Sequence, residues 1–257
     1  MLNSAQISNA QKIREALNKV GLTNKYVQDA VVVIAWKEST LFPLRENCYT
    51  NTPNSDIRRY FGKFLPNYTD SQITELKKDC VKFFNQVYGN RMGNSATEGY
   101  TYRGRGFIQI TGKNNYRAIG NKIGVNLVSN PDLVLDANIG AKALVQYYKD
   151  AEKNPVIKNY GASNLNDLKD LDSALKAVFH LTAGVGLSPK YLFEQDSTGG
   201  WAKVQKYKNT IIAETKSKND KDSDNNKYIG YVLLIALGLG IVLFANKKIR
   251  NQLGFFK

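Results

Sequence analysis

The chain is poor in the residues that build most metal and nucleophile chemistry. Its 257 residues contain one histidine and two cysteines. A zinc site assembled from several His or Cys ligands is therefore nearly excluded, and no metal is expected. A Ser-His-Asp or Cys-His system could draw only on His180. That residue stands in Ala-Val-Phe-His-Leu-Thr (177–182), where it reads as a packed helical histidine. Cys48 and Cys80 could pair, but two cysteines in a chain of this size do not make a disulfide scaffold, and they read as free, partly buried thiols. No Walker-type or dinucleotide-binding glycine loop is present, and no cofactor is expected. The first residues lack the basic start and apolar core of a secretory signal. Carboxylate chemistry is what remains.

Acidic residues are also outnumbered. Against 36 Lys and Arg there are 22 Asp and Glu, a formal net charge of +14. Such a chain suits a polyanion, whether nucleic acid, anionic lipid or an anionic cell wall. The absence of an arginine-rich tract, of zinc-finger spacing and of an aromatic-basic RNA-binding signature argues against nucleic acid as a partner.

Apolar periodicity predicts mostly helix. An apolar stripe of Ile13, Ala16, Leu17 and Val20 marks a helix over 8–20 that Gly21 stops. A second, over 24–39, is apolar all round at its centre and reads as a buried core helix opened by a Thr23-Asn24 cap. Further helices are expected over 56–61, 70–88, from near 114, and over 130–150, 165–181 and 197–218, with one short hairpin. The expected fold is mainly α, an α+β lysozyme-like architecture, as a single catalytic domain over 1–212 followed by a C-terminal transmembrane helix. Residues 213–227, rich in Lys, Asp, Asn and Ser, read as a charged flexible linker. Residues 228–245 contain no charge and would span about 27 Å as a helix, close to the ~30 Å hydrocarbon core of a bilayer. Tyr228 and Tyr231 suit one interface of a lipid membrane. Lys247, Lys248 and Arg250, in the basic tail 246–257, suit the other and tip a nearly balanced charge bias toward a cytoplasmic C-terminus.

The stretch Tyr-Arg-Gly-Arg-Gly-Phe-Ile-Gln-Ile-Thr-Gly-Lys-Asn-Asn-Tyr (102–116) packs glycines, arginines, amides and hydroxyls around an apolar Phe107, Ile108 and Ile110. Glycine lets backbone approach a ligand, and the polar groups supply directional donors and acceptors, a composition suited to a sugar polymer bearing N-acetyl groups. The segment resembles the signature of glycoside hydrolase family 19, the chitinase-like enzymes that include many phage and bacterial endolysins. Gly104, Arg105, Gly106, Gln109, Ile110, Thr111, Asn115 and Tyr116 match its Gly-Arg-Gly-x-x-Gln-Ile-[Ser/Thr] core and following Asn-Tyr.

Glycoside hydrolysis needs a protonated acid at the leaving oxygen and a second carboxylate. Glu38 closes the apolar helix just after Trp36, where burial suits an acid. Its context also resembles the endolysin branch, in which a catalytic His-Glu-Ser-like segment precedes a Glu-Asn-x-x-Tyr-[Ser/Thr] loop. Here Lys37-Glu38-Ser39 precedes Glu46-Asn-Cys-Tyr49-Thr50. The resemblance covers about 25–135 well and fades toward 190. It implies Glu38 as general acid, Glu46 as base and Thr111 as holder of the attacking water. It implies Tyr102, Arg105, Gln109, Asn115 and Tyr116 as substrate-binding residues, with inversion at a carboxylate separation of about 6.5–9.5 Å. Glu98, just before the signature, competes as an alternative base. Lys37 departs from the family's usual His.

The resemblance implies cleavage of β-1,4 links beside N-acetylglucosamine. The basic charge and the apolar segment favour peptidoglycan as partner and a single-pass protein of a virion membrane or host inner membrane, a phage lytic enzyme for entry or lysis. A chitinase, a lytic transglycosylase and a non-catalytic wall-binding membrane protein with a degenerate hydrolase fold are the alternatives.

Overall fold

The computed structural model describes residues 1–195 and 199–216. The expected span 228–245, the basic tail and most of the linker lie outside the described residues. Among the described residues, no helix is long and apolar enough to cross a membrane. They form ten α-helices, several short 3-10 turns and one two-stranded sheet. The chain divides into two compact units. One contains Met1–Leu41 and the described residues from Ala151 onward, and the other contains Phe42–Asp150.

In the first unit, α1 (Ser4–Lys19) starts earlier than its apolar stripe indicated because Asn3 and Gln6 form a capping box. Helix α2 (Lys25–Ser39) opens at Asn24, whose side chain accepts from the backbone N–H groups of Tyr26 and Val27. Residues 30–35 of α2 are buried on every side. The helix packs against α1, α8 (Leu171–Ala183) and α10 (Gly200–Lys216), which explains its all-round apolar character. A buried carboxylate ties three of these helices together. Asp29 on α2 accepts from Arg14 Nη1 of α1 at 2.7 Å and from Lys216 Nζ of α10 at 2.6 Å. Helix α10 runs through Lys216, with Thr215 buried, inside the helix expected over 197–218 and overlapping the first residues read as linker. His180 is a core histidine on α8, its Nδ1 2.6 Å from Tyr160 Oη. Burial holds its pKa below the ordinary imidazole value, a backbone contact at Leu187 offsetting part of the effect.

The second unit is built on an aromatic core. Helices α3 (Asn54–Phe61), α4 (Asp70–Lys78) and α5 (Cys80–Tyr88) surround Tyr49, Phe61, Phe83, Phe84 and Tyr88. The single helix expected over 70–88 is two, because Asp79 turns extended and its carboxylate accepts from Val81 and Lys82 N–H, capping α5. The cysteines are not free thiols: Cys48 and Cys80 form a disulfide that fastens the loop after β1 to the first residue of α5. Strands β1 (Leu44–Arg45) and β2 (Arg105–Gly106) pair antiparallel, Leu44 against Gly106 and Arg45 against Arg105. Helices α6 (Lys113–Ile123) and α7 (Ala137–Asp150) complete the unit. The helix expected from 130 begins instead as a 3-10 turn, Pro131–Leu135, before α7 starts.

Candidate active site

Pairing of β1 with β2 brings Glu46 against the signature. The Glu46 N–H donates to Gly104 O at 2.7 Å, continuing the ladder by one step. The Gly104 N–H in turn donates to Glu46 Oε2 at 2.9 Å. Its other oxygen, Oε1, accepts from Tyr49 Oη at 2.7 Å and from Tyr88 Oη at 3.0 Å. Arg103 Nε donates to the Glu46 carbonyl at 3.3 Å while its guanidinium lies 3.9 Å from the centre of the Tyr100 ring. The carboxylate is buried, 7% exposed, yet surrounded by donors, which is how a charged group is tolerated inside a protein. Burial first, and the Glu46 charge second, push both tyrosine pKa values well up, so both hydroxyls remain protonated donors.

Gly104 marks a point where polar atoms converge. The position that a Cβ on this residue would take lies 2.9 Å from Gln109 Oε1, 3.0 Å from Glu46 Oε2 and 3.3 Å from Thr111 Oγ1. The orientation of the Gln109 amide is fixed by two carbonyls. Its Nε2 donates to Leu44 O at 2.8 Å and to Gly106 O at 3.0 Å, leaving Oε1 to face Gly104. Gln109 itself is held at a positive φ of 53° in the tight loop between the bridged residues Arg105 and Ile110. The Thr111 hydroxyl donates to Gln109 O at 3.0 Å, so its lone pairs are left as acceptors toward the same point. The three acceptors thus gather on one side of Gly104, and groups of this kind hold and deprotonate a water lying among them.

The remaining signature residues brace this arrangement. Arg105 Nε pairs with Asp132 at 2.6 Å, and its Nη1 donates to the carbonyls of Thr101 and Arg103. Tyr116 is fully buried and its hydroxyl donates to Arg103 O at 2.8 Å. Tyr102 is buried too, its hydroxyl on Val128 O. Asn115 Nδ2 donates to Thr111 O at 2.7 Å. These four side chains are occupied with the protein itself. Glu98 is held in an ion pair with Lys113 at 2.6 Å. That bond, with the Ser95 N–H, holds its pKa below the usual carboxylate range.

Glu38 belongs to the first unit. It ends α2 beside Lys37, whose Nζ lies 2.9 Å from Glu38 Oε1 and 5.0 Å from the centre of the Phe179 ring. Lys203 of α10 is close enough for the Lys37 charge, after burial, to lower its pKa. The turn beyond is strained. Thr40 and Leu41 both have positive φ, 53° and 61°. Side chains of α1 clamp it, Gln6 donating to Thr40 O and Asn9 to Leu41 O, each at 2.9 Å. Non-glycine residues in this conformation collect at functional sites.

Three residues of the Glu46 cluster escaped the sequence reading. Tyr49 carried a signal, three residues after Glu46 within the Glu-Asn-Cys-Tyr segment. Tyr88 carried none, because its partner is 42 residues away. Arg103 was hidden by its more recognisable neighbour Arg105. Among the described residues, no group of His, Cys, Asp and Glu is arranged to hold a metal ion.

Known proteins place this geometry in context. The family model described as "Chitinase class I" matches residues 75–164. The stretch includes the Gly104 region and begins beyond Glu38 and Glu46. A protein of Haemophilus influenzae described as "Glycosyl hydrolase family 19 domain-containing protein" is 32% identical over 143 residues, 54% of this chain and 69% of that protein. Acidic endochitinase Q of Nicotiana tabacum is 35% identical over 102 residues, 34% of this chain and 40% of its own length. The acidic 27 kDa endochitinase of Solanum lycopersicum is 42% identical over 104 residues, 34% of this chain and 42% of its own. The chain thus spans about two thirds of the bacterial relative and less than half of these plant ones. It is a glycoside hydrolase. More narrowly, it belongs to glycoside hydrolase family 19.

Proposed function

We propose that the chain is a peptidoglycan hydrolase that cuts β-1,4 glycosidic bonds with inversion, using Glu38 as general acid and Glu46 as general base. The observation that carries the reading is the convergence of Glu46 Oε2, Thr111 Oγ1 and Gln109 Oε1 at Gly104. A water held among these three acceptors gives one proton to the Glu46 carboxylate as its oxygen bonds to the anomeric carbon. Glu38 delivers a proton to the departing glycosidic oxygen as the old bond breaks. Because water rather than a carboxylate forms the new bond, the anomeric centre inverts. A protonated Glu38 no longer pairs as an ion with Lys37, so the acid form goes with loosening of that contact.

Peptidoglycan is preferred for three reasons. The charge of +14 suits an anionic wall, the Lys37-to-Thr50 region resembles the endolysin branch, and the uncharged segment 228–245 suits an anchor beside that wall. These features together fit a muralytic enzyme of a bacterial virus. The plant relatives named as endochitinases favour chitin as the second reading. The test compares the full chain with Glu38→Gln and Glu46→Gln on purified peptidoglycan and on chitin. Reducing ends from peptidoglycan, with kcat at least about 100-fold lower in each variant, are expected. Reducing ends from chitin alone would move the substrate to the second reading. Anhydro-muramyl ends would replace hydrolysis by transglycosylation, and wall binding without cleavage would sink the peptidoglycan hydrolase. Flotation of the same protein with phospholipid vesicles tests the anchor, which is wrong if a 1–227 truncation floats equally well.

A further inference from the structure

The two oxygens of Glu46 have different surroundings. Oε1 receives two phenol hydroxyls, from Tyr49 in the loop after β1 and from Tyr88 at the end of α5. Two donors match the two lone pairs of one carboxylate oxygen. Oε2 receives the Gly104 N–H and faces Thr111 and Gln109. Both tyrosine rings are fixed. Tyr49 packs on Phe61, Phe83 and Phe84, and Tyr88 stacks on Phe84 at 5.8 Å. A tyrosine serving only the core would keep its ring in the cluster and send its hydroxyl to the nearest carbonyl. Here two tyrosines from separate segments aim at the same carboxylate oxygen.

We propose that Tyr49 and Tyr88 are positioning residues that hold Oε1 and so commit Oε2 to the attacking water. The proposal rests on Glu46 being the base. Rotation of the carboxyl about its last bond would exchange the two oxygens, and the paired phenols oppose that rotation. Their donation also favours the charged carboxylate, the form that accepts a proton. Neither tyrosine touches sugar in this role. Each acts through Glu46.

The test uses the full chain labelled with carbon-13 at glutamate carboxyls, with Glu46→Gln to assign the resonance. The carboxyl of Glu46 is titrated in the parent protein, in Tyr49→Phe, in Tyr88→Phe and in the double variant. Phenylalanine keeps the ring in the aromatic core, and thermal unfolding checks that it does. Loss of a donor to the charged form must move the titration midpoint to higher pH in each single variant, and further in the double. In hydrolysis, kcat should fall about tenfold with KM unchanged, while the acidic limb of the pH profile moves the same way. An unmoved midpoint in both single variants overturns the proposal. So does an activity loss that tracks thermal stability with the acidic limb fixed. Because the titration does not depend on turnover, the outcomes separate. A shifted midpoint in a chain that cleaves neither polymer overturns the function and leaves the bracing. An unshifted midpoint in an active chain whose Glu46→Gln variant is dead does the reverse.

Discussion

Gly104 and Gly106, two glycines of one short loop, are constrained in different ways. Gly106 takes a φ of +82°, a conformation in which any side chain is strained. Gly104 lies outside that region, and its constraint is space: an added Cβ would crowd Gln109 Oε1, Glu46 Oε2 and Thr111 Oγ1. The two positions should therefore fail differently. Gly104→Ala is expected to fold with a thermal midpoint close to the parent's and to lose about 100-fold in kcat, since misplacing the water by about 1 Å is costly. Full activity in that variant would mean the converging acceptors are not used. The residue scale also shows what spacing does not reveal. Arg105, Asn115 and Tyr116 were legible as a polar signature, and the natural inference was contact with sugar. The structure adds a second demand on them, hydrogen bonds to backbone carbonyls and between Arg105 and Tyr116, because a loop this tightly folded must satisfy its own buried groups.

At the scale of elements, the second unit depends on a cross-link that composition argued against. The disulfide joins cysteines 32 residues apart. Closing a loop of that length stabilises by about 3–4 kcal/mol through the unfolded chain. It also joins the segment bearing Tyr49 to the helix bearing Tyr88, the two donors on Glu46. Reduction, or replacement of both cysteines by serine, is expected to lower the unfolding free energy by about 2–4 kcal/mol, read from urea titrations of oxidised and reduced protein. Equal midpoints would show that the aromatic core alone sets this unit's stability. Most helices were legible, α2 and α8 by their long apolar runs, but the short helix Pro189–Glu194 was not. Helix ends were not. Asp79 divides one expected helix into two, and the Asn3–Gln6 capping box starts α1 four residues ahead of its expected start. Both effects come from local capping, which periodicity does not register.

At the scale of the molecule, family membership rested on a short motif that sequence could display, and the relatives bear it out. The helical class was equally visible. The division into two compact units was not, because the first unit is made of two segments separated in sequence by the whole of the second. Nor was the pairing of β1 with β2, a contact between residues about 60 positions apart that only the folded chain creates. Direct attack on the anomeric carbon by a water that Glu46 activates is tested by the configuration of the first product formed. A defined N-acetylglucosamine oligomer or muropeptide chain cleaved by the full protein is followed by proton NMR before mutarotation equilibrates the new reducing end. Direct attack by water gives the α-anomer from a β-1,4 bond. Initial release of the β-anomer would show a covalent glycosyl-enzyme or a substrate-assisted route, and would contradict it.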